Sequence, residues 1–233
     1  MVPLITQEIY DRFSTLRRQM ASYSPAHVFV PVGGENADLR ILFVGKATRG
    51  WADPSLATFS KSFARAEVLA KENPPANQFR GFARTITKDA LRTLEIPVEN
   101  ERLHEHIGWS NLAKIGAANG NPSSHSLDVQ VKLCIESLIY EVDRFRPTAI
   151  ILATADFASD KIVNPAIERI APGDWKFYDP GGCLAVYKEH KADRPAIVWT
   201  NHPERMRREN RIDVEQLSVR LIVDANRFRE KLS

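Results

Sequence analysis

Three polar stretches carry the side chains in this chain that are best suited to chemistry. Each begins where a short apolar run ends, and together they cover residues 45–51, 111–114 and 200–206. The cations Lys46 and Arg49, together with His202, would suit an anionic ligand. The amide of Asn111 can donate and accept hydrogen bonds, so it could read a donor and an acceptor on one ligand edge.

Apolar runs predict strands before these stretches and helices between them. Runs of strand length occur at 39–44, 107–112, 149–153, 184–187 and 196–199, with a short edge strand at 28–30. Helical spacing of apolar residues predicts helices over 6–21, 51–73, 78–94, 126–145, 157–170 and 213–232, with Thr6 as the cap of the first. This alternation is typical of an α/β fold with a mostly parallel sheet and helices on both faces. Because parallel strands end at a common edge, we expect the three stretches to meet there.

Composition places the chain among ordinary globular proteins. It has 233 residues, of which 43% are hydrophobic and 26% charged, and its net charge is +3. This charge is compatible with an anionic partner but does not require one. No run has the length of a membrane span, and the first residues do not resemble a signal peptide, so we expect a cytoplasmic protein without a membrane partner.

The two cysteines predict neither a disulfide framework nor a metal site. Cys134 and Cys183 are far apart and lack CxxC spacing, so both are interpreted as small buried residues. They cannot by themselves hold an iron–sulfur cluster or a structural zinc ion. We therefore expect no cofactor, no metal and no iron–sulfur cluster.

No repeat, low-complexity tract or long linker divides the sequence. We interpret residues 1–233 as a single α/β domain, in which 1–38 form an N-terminal helix and connector and 39–233 form the core. A monomer is the simplest expectation for such a chain.

Each polar stretch also has a purely structural interpretation. Gly45 could simply end a strand, and Lys46 could be solvated. Asn111 could form a turn, and His202, directly before Pro203, could cap one. The predicted meeting of the three stretches at one edge is what favours a functional interpretation.

In this order the three stretches resemble the motifs of the uracil-DNA glycosylase superfamily. The matching residues run from Val44 to Gly50, from Ser110 to Lys114 and from Asn201 to Met206. The strand at 149–153 also fits the family order, and the resemblance extends over about residues 39–208. It implies a three-layer α/β/α fold with a short, mostly parallel central sheet and a hydrolase that removes uracil or another damaged base from DNA.

The resemblance also implies roles for particular residues. His202 would donate a hydrogen bond to the departing base, with Lys46 as the second catalytic candidate. The expected contacts to the base come from Asn111, Ala47, Trp51 and Phe59, with Phe63 as an alternative aromatic residue. The expected contacts to DNA come from Arg49, Arg205, Met206, Arg207, Arg208 and Ser123, and Met206 would fill the gap left by the extruded nucleotide.

The first stretch departs from the family pattern. Active members commonly carry Asp, Glu or Asn in this loop to position water, whereas this chain has Lys46 and Ala47, with Thr48 in place of a proline. Asp53 or Glu35 could supply the acid. Lys46 could act as a nucleophile if its pKa were lowered, or it could contact a phosphate.

Three hypotheses follow. The chain is a DNA glycosylase, or it is a catalytically inactive nucleic-acid- or nucleotide-binding protein on the same fold. The third hypothesis is an enzyme that uses the same cleft for a small phosphorylated or nucleoside-like ligand.

Overall fold

A computed structural model of the protein describes residues 1–23, 25–36, 38–47, 53–72, 78–117, 121–179, 185–190 and 194–231. Within these ranges the chain forms ten strands and six α-helices. The strands are β1 (Val2–Pro3), β2 (Pro25–Val28), β3 (Val32–Gly33), β4 (Ile41–Ala47), β5 (Ile107–Ala113), β6 (Ile115–Ala117), β7 (Ala149–Ala153), β8 (Lys176–Tyr178), β9 (Ala185–Lys188) and β10 (Ala196–Thr200). The helices are α1 (Gln7–Gln19), α2 (Phe59–Lys71), α3 (Gln78–Thr93), α4 (Ser124–Phe145), α5 (Asn164–Ile170) and α6 (Arg208–Glu230).

Eight strands form one central sheet in the order β1-β3-β5-β4-β7-β10-β9-β8. The four central strands, β5, β4, β7 and β10, are parallel to one another. The flanking strands pair antiparallel on both sides. The sheet is therefore mixed, and the expectation of a mostly parallel sheet holds only for its centre. The sequence did not reveal β1, β3 and β8, because two or three residues are too few for a periodic signal.

Side chains of the central strands alternate between two hydrophobic layers. In β4, Ile41 and Phe43 pack in the layer that contains α2, α3 and α6. Leu42 and Val44 pack in the opposite layer, with α1, α4 and α5. Burial on both faces explains why these strands are continuous apolar runs. The protein is thus an α/β fold with helices on both faces of a mixed sheet, which is compatible with three α/β/α layers.

The helices begin and end where local chemistry sets their limits. Thr6, the predicted cap of α1, accepts a hydrogen bond from the amide of Ile9 at 3.3 Å. The helix predicted from residue 51 begins only at Phe59, because Thr58 caps it there. The helix predicted from residue 157 begins as a π-turn after Ala158, whose φ of 56° interrupts a right-handed helix. No helix in the described ranges is long and apolar enough to cross a membrane.

A second sheet consists of the two strands β2 and β6. The predicted edge strand at 28–30 overlaps β2 only at Val28. β2 pairs antiparallel with β6 instead of joining the eight-stranded sheet. Cys134 is completely buried, as expected, and burial raises the pKa of its thiol to about 11. Cys183 lies outside the described residues.

Candidate functional site

A cavity of about 360 Å³ opens at the carboxyl edge of the central sheet. Lys46 lines it from the end of β4, Asn111 from the end of β5, and His202 from the segment after β10. The structure therefore brings together one residue from each of the three polar stretches. Parallel pairing is the physical cause, since β4 and β5 run in the same direction and their carboxyl ends therefore lie at the same edge of the sheet.

The position of Asn111 depends on the absence of a side chain at Gly45. The two residues are partners across the parallel β4–β5 pair. A Cβ atom at position 45 would lie 2.7 Å from Oδ1 of Asn111, closer than such atoms normally approach. The interpretation that Gly45 ends a strand is wrong, because β4 continues to Ala47. Gly45 instead leaves space for the Asn111 amide against the sheet backbone.

His202 both caps a turn and lines the cavity. Its Nδ1 accepts a hydrogen bond from the backbone amide of Glu204 at 3.4 Å, which confirms that His202 caps this turn. An acceptor at Nδ1 places the proton of the neutral ring on Nε2, an assignment inferred from this contact. Oε2 of Glu204 lies 3.8 Å from Nδ1 and would stabilise the protonated ring. The ring is half-buried and can therefore act as a donor in a partly shielded site.

Phe79, which the sequence did not single out, forms the aromatic wall of the cavity. Its ring stacks on His202 with 5.6 Å between centroids and an interplanar angle of 27°. It also meets the ring of Trp109, again at 5.6 Å. The indole Nε1 of Trp109 is buried and has no hydrogen-bond partner within the described part of the chain. Phe79 continues the apolar stripe of α3 by one turn, so in the sequence it looked like another core residue.

Phe59, the aromatic residue predicted to contact a base, lies elsewhere. Its ring meets Tyr10 edge to face at 5.6 Å between centroids, and it packs in the layer that contains α1 and α4. It does not line the cavity. Phe63 likewise packs against the hydrophobic layers, and Trp51 lies outside the described residues.

The cavity has a positive electrostatic character. Lys46, Arg80 and Arg205 all line it. Partial burial lowers the pKa of Lys46, Arg205 lowers it further, and Asp156 raises it. Burial likewise lowers the pKa of the half-buried Arg80. The cavity therefore disfavours additional positive charge and would be stabilised by an anionic group.

Behind Asn111 lies a completely buried ion pair between Lys114 and Glu141. Their Nζ and Oε1 atoms are 2.9 Å apart, and neither side chain is exposed. Nζ also donates to Oγ of Ser110 at 3.1 Å and to the backbone oxygen of Asn111. Ser110 and Ser137 both donate to the Glu141 carboxylate. Lys114 thus holds the end of β5. In the sequence, the buried role of Glu141 was indicated only by its position as an acidic residue among the apolar positions of α4.

The structure places the predicted DNA contacts in different surroundings. Arg205 lines the cavity, whereas Arg207 and Arg208 are exposed just outside it at the start of α6. Ala47, which was predicted to contact the base, also lines the cavity. Met206 is half-buried and packs against the hydrophobic layer of α3 and α6. Ser123 caps α4 by accepting a hydrogen bond from the amide of Ser126. Arg49 lies outside the described residues.

A comparison of the sequence with protein-family models and with curated proteins finds no match. What the cavity binds is therefore inferred from its own side chains. Aromatic walls suit a planar ring, an amide suits an edge with a donor and an acceptor, and the cations suit an attached anion.

Proposed function

We propose that the cavity binds a nucleobase and that the protein is a DNA-glycosylase-like hydrolase acting on uracil or another damaged base. The observation that carries the proposal is that Lys46, Asn111 and His202, from three separate strand ends, line one cavity. A volume of about 360 Å³ is at the small end of ligand sites, which suits a single base. The proposal includes a uracil-DNA-glycosylase-like version of the α/β fold.

The side chains would divide the recognition of an extruded base between them. The ring of Phe79 would stack on the base, as aromatic side chains do in enzymes that extrude nucleotides. The Asn111 amide would bond to the edge of the base, with its position held by the space at Gly45. The Lys114–Glu141 pair would hold the backbone that carries this amide.

Catalysis would follow from where charge develops. When the bond from C1′ to the base nitrogen breaks, its electron pair moves to the base and the sugar becomes oxocarbenium-like. A donor at the base oxygen stabilises this state more than the substrate, which accelerates the step. His202 would supply that donor from Nε2. Water would then form the new bond to C1′, and the proton that it loses would neutralise the departing base anion.

Lys46 would act as an electrostatic group beside the cavity. Its lowered pKa results from burial and from Arg205, and both effects favour binding of an anion. A phosphate next to the extruded nucleotide supplies such an anion. Arg205 would contribute to the same contact, and the exposed Arg207 and Arg208 would extend it along the backbone.

A second candidate function is base binding without catalysis. It is favoured by Lys46 and Ala47, which occupy the positions where the resembling family commonly carries a residue that positions water. Among the described residues that line the cavity, the single carboxylate is Glu204, which is 57% exposed and lies beside His202. On this alternative the cavity recognises a base but lacks a group to activate water.

Release of free base from oligonucleotides tests both candidates. Duplexes and single strands containing uracil, hypoxanthine or xanthine would be incubated with folded protein and with the Asn111→Leu and His202→Leu variants. If the wild type releases free base and both variants have lost this activity, the result supports the glycosylase. Salt-dependent binding without release supports the binding protein. If the protein neither releases base nor binds nucleic acid at low salt, both candidates are overturned. The hypothesis of a small phosphorylated ligand then remains, and thermal-shift screening would detect such a ligand.

A further inference from the structure

A second, larger cavity lies at the opposite edge of the central sheet. It has a volume of about 760 Å³ and is lined by the ends of α4, α5 and α6. Pro147, two residues before β7, and Pro195, directly before β10, also line it. The first cavity is at the carboxyl ends of these parallel strands, so the two cavities are separate sites.

Four arginines from four parts of the chain line this cavity, and we call it the arginine cleft. They are Arg146, Arg169, Arg194 and Arg229. Among the described lining residues a single carboxylate, that of Asp143, opposes them. The cleft therefore carries a local excess of positive charge.

Three of these guanidinium groups have no partner within the described part of the chain. Those of Arg146, Arg169 and Arg194 form no hydrogen bond and no ion pair with any residue that the structure describes. Arg229 differs, because it donates to the backbone oxygen of Pro147 at 2.7 Å and to Oγ1 of Thr148 at 3.3 Å. One arginine is thus fixed by the fold, while the other three remain available to a ligand.

Arg146 occupies a backbone position that does not favour arginine. It follows the last turn of α4 with a φ of 50° and a ψ of 57°, the left-handed conformation in which glycine is usual. It also precedes Pro147, and a residue before proline prefers an extended conformation. A strained residue that carries a functional group into a cavity is a common feature of binding sites.

The floor of the arginine cleft is apolar. Ile139, Val142 and Ile170 line it together with the charged groups, and we call these three residues the apolar floor. A purely surface-charged patch would not need such a floor, whereas ligand sites typically combine an apolar base with a few charged groups. The guanidinium fork matches the oxygens of a phosphate in a bidentate manner.

We propose that the arginine cleft binds a small phosphorylated ligand of nucleotide size, with its phosphates on the arginines and its uncharged part on the apolar floor. The cleft volume falls within the range of about 300–1,000 Å³ that is usual for small-molecule sites. This site does not depend on the function proposed for the first cavity, since the two share no lining residue.

Calorimetric titration of the full chain with adenosine diphosphate, inorganic pyrophosphate and adenosine tests the proposal at low salt. We expect adenosine diphosphate to bind, pyrophosphate to bind more weakly and adenosine to show no binding. Arg194→Ala and Arg146→Gly should each weaken binding of adenosine diphosphate at least tenfold. Arg18→Ala on α1, which lies outside both cavities, should change it less than twofold.

Arg146→Gly separates a binding role from a structural one. It removes the guanidinium and relieves the strained backbone, so its thermal midpoint should equal or exceed that of the wild type while binding is lost. The proposal is overturned if neither phosphate probe binds at millimolar concentration. It is also overturned if the cleft variants bind like the wild type, or if a DNA duplex but no small phosphate occupies the cleft.

Discussion

Lys114 and Glu141 form an ion pair of 2.9 Å inside the protein, and both side chains are completely buried. Glu141 belongs to α4, and Lys114 directly follows β5, so the pair joins a helix to the strand that carries Asn111. Its partners Ser110, Ser137 and the backbone oxygen of Asn111 satisfy the remaining donors and acceptors. The pair therefore connects the interior of the fold to the floor of the first cavity.

Breaking this pair on one side should be strongly destabilising. Lys114→Met or Glu141→Leu alone leaves an unpaired charge in the interior, and we expect each to lower the free energy of unfolding by about 3–5 kcal/mol. The double variant removes both charges and should be closer to the wild type than either single variant. Urea denaturation followed by circular dichroism measures all four proteins. A double variant that loses the sum of the two single effects would contradict this account.

Gly45→Ala should displace the Asn111 amide without unfolding the protein. The added Cβ would lie 2.7 Å from Oδ1 of Asn111, so the amide must move, and we expect base binding to weaken at least tenfold, or by about 1.4 kcal/mol. Gly81→Ala in α3 is the matched control. Its Cβ meets only Nη2 of Arg211 at 3.8 Å, and the change should stabilise the helix by about 0.5–1 kcal/mol. Fluorescence anisotropy with a labelled oligonucleotide compares the two, and equal binding would argue against a role for the Gly45 space.

Phe79, rather than Phe59, should determine the stacking contribution to base binding. Phe79→Ala should reduce the binding free energy by about 1–3 kcal/mol, the usual contribution of one aromatic ring stacked on a base. Phe59→Ala should lower the urea midpoint instead, because that ring packs against Tyr10 in the other layer. Anisotropy and denaturation would be measured on both variants. The reverse pattern would show that Phe59 contacts the base.

Lys46 should react as an amine with a lowered pKa. Burial and Arg205 lower this pKa, and Asp156 raises it. We expect acetylation of Lys46 at a given pH to become slower in Arg205→Ala, whose cation no longer lowers the pKa, and faster in Asp156→Asn. Mass spectrometry of labelled peptides measures these rates, with the exposed Lys61 in α2 as the internal reference. Unchanged rates in both variants would show that neither group acts on Lys46.

The same shift predicts how Lys46 affects stability with pH. Its pKa in the folded protein lies below the ordinary value of 10.5, so the unfolded chain binds the proton more tightly. Stability therefore rises with pH between the lowered pKa and 10.5. Relative to Lys46→Met, the wild type should gain stability as pH increases through this window.

Nucleic-acid binding should weaken as the salt concentration rises. The steepness of this dependence should reflect the exposed Arg207 and Arg208 beside the first cavity. Arg207→Ala and Arg208→Ala should each reduce the slope of log affinity against log salt by about 0.9 for duplex DNA. Arg92→Ala, which removes a 77% exposed arginine from α3, serves as the control and should leave the slope unchanged. Anisotropy titrations at several salt concentrations give the slopes. Equal slopes in all four proteins would place the phosphate contacts elsewhere.

Much of the fold could be predicted because strands and helices leave local patterns of apolar and capping residues in the sequence. The continuous apolar run at 149–153 predicted β7 to the residue, and the cap at Thr6 placed the start of α1. Elements without a local pattern could not be predicted. The three residues of β8 carry no periodicity, and their antiparallel pairing with β9 depends on a distant part of the chain.

The candidate site shows the same division. The sequence by itself determined which residue types follow the central strands, and parallel pairing made it reasonable that Lys46, Asn111 and His202 would meet. Only the tertiary structure decided that Phe79, and not Phe59, forms the wall of the cavity, and that Glu141 supports Asn111 through Lys114. The reason is physical: strand and helix patterns depend on neighbours along the chain, whereas contacts between side chains on different elements depend on how the layers pack.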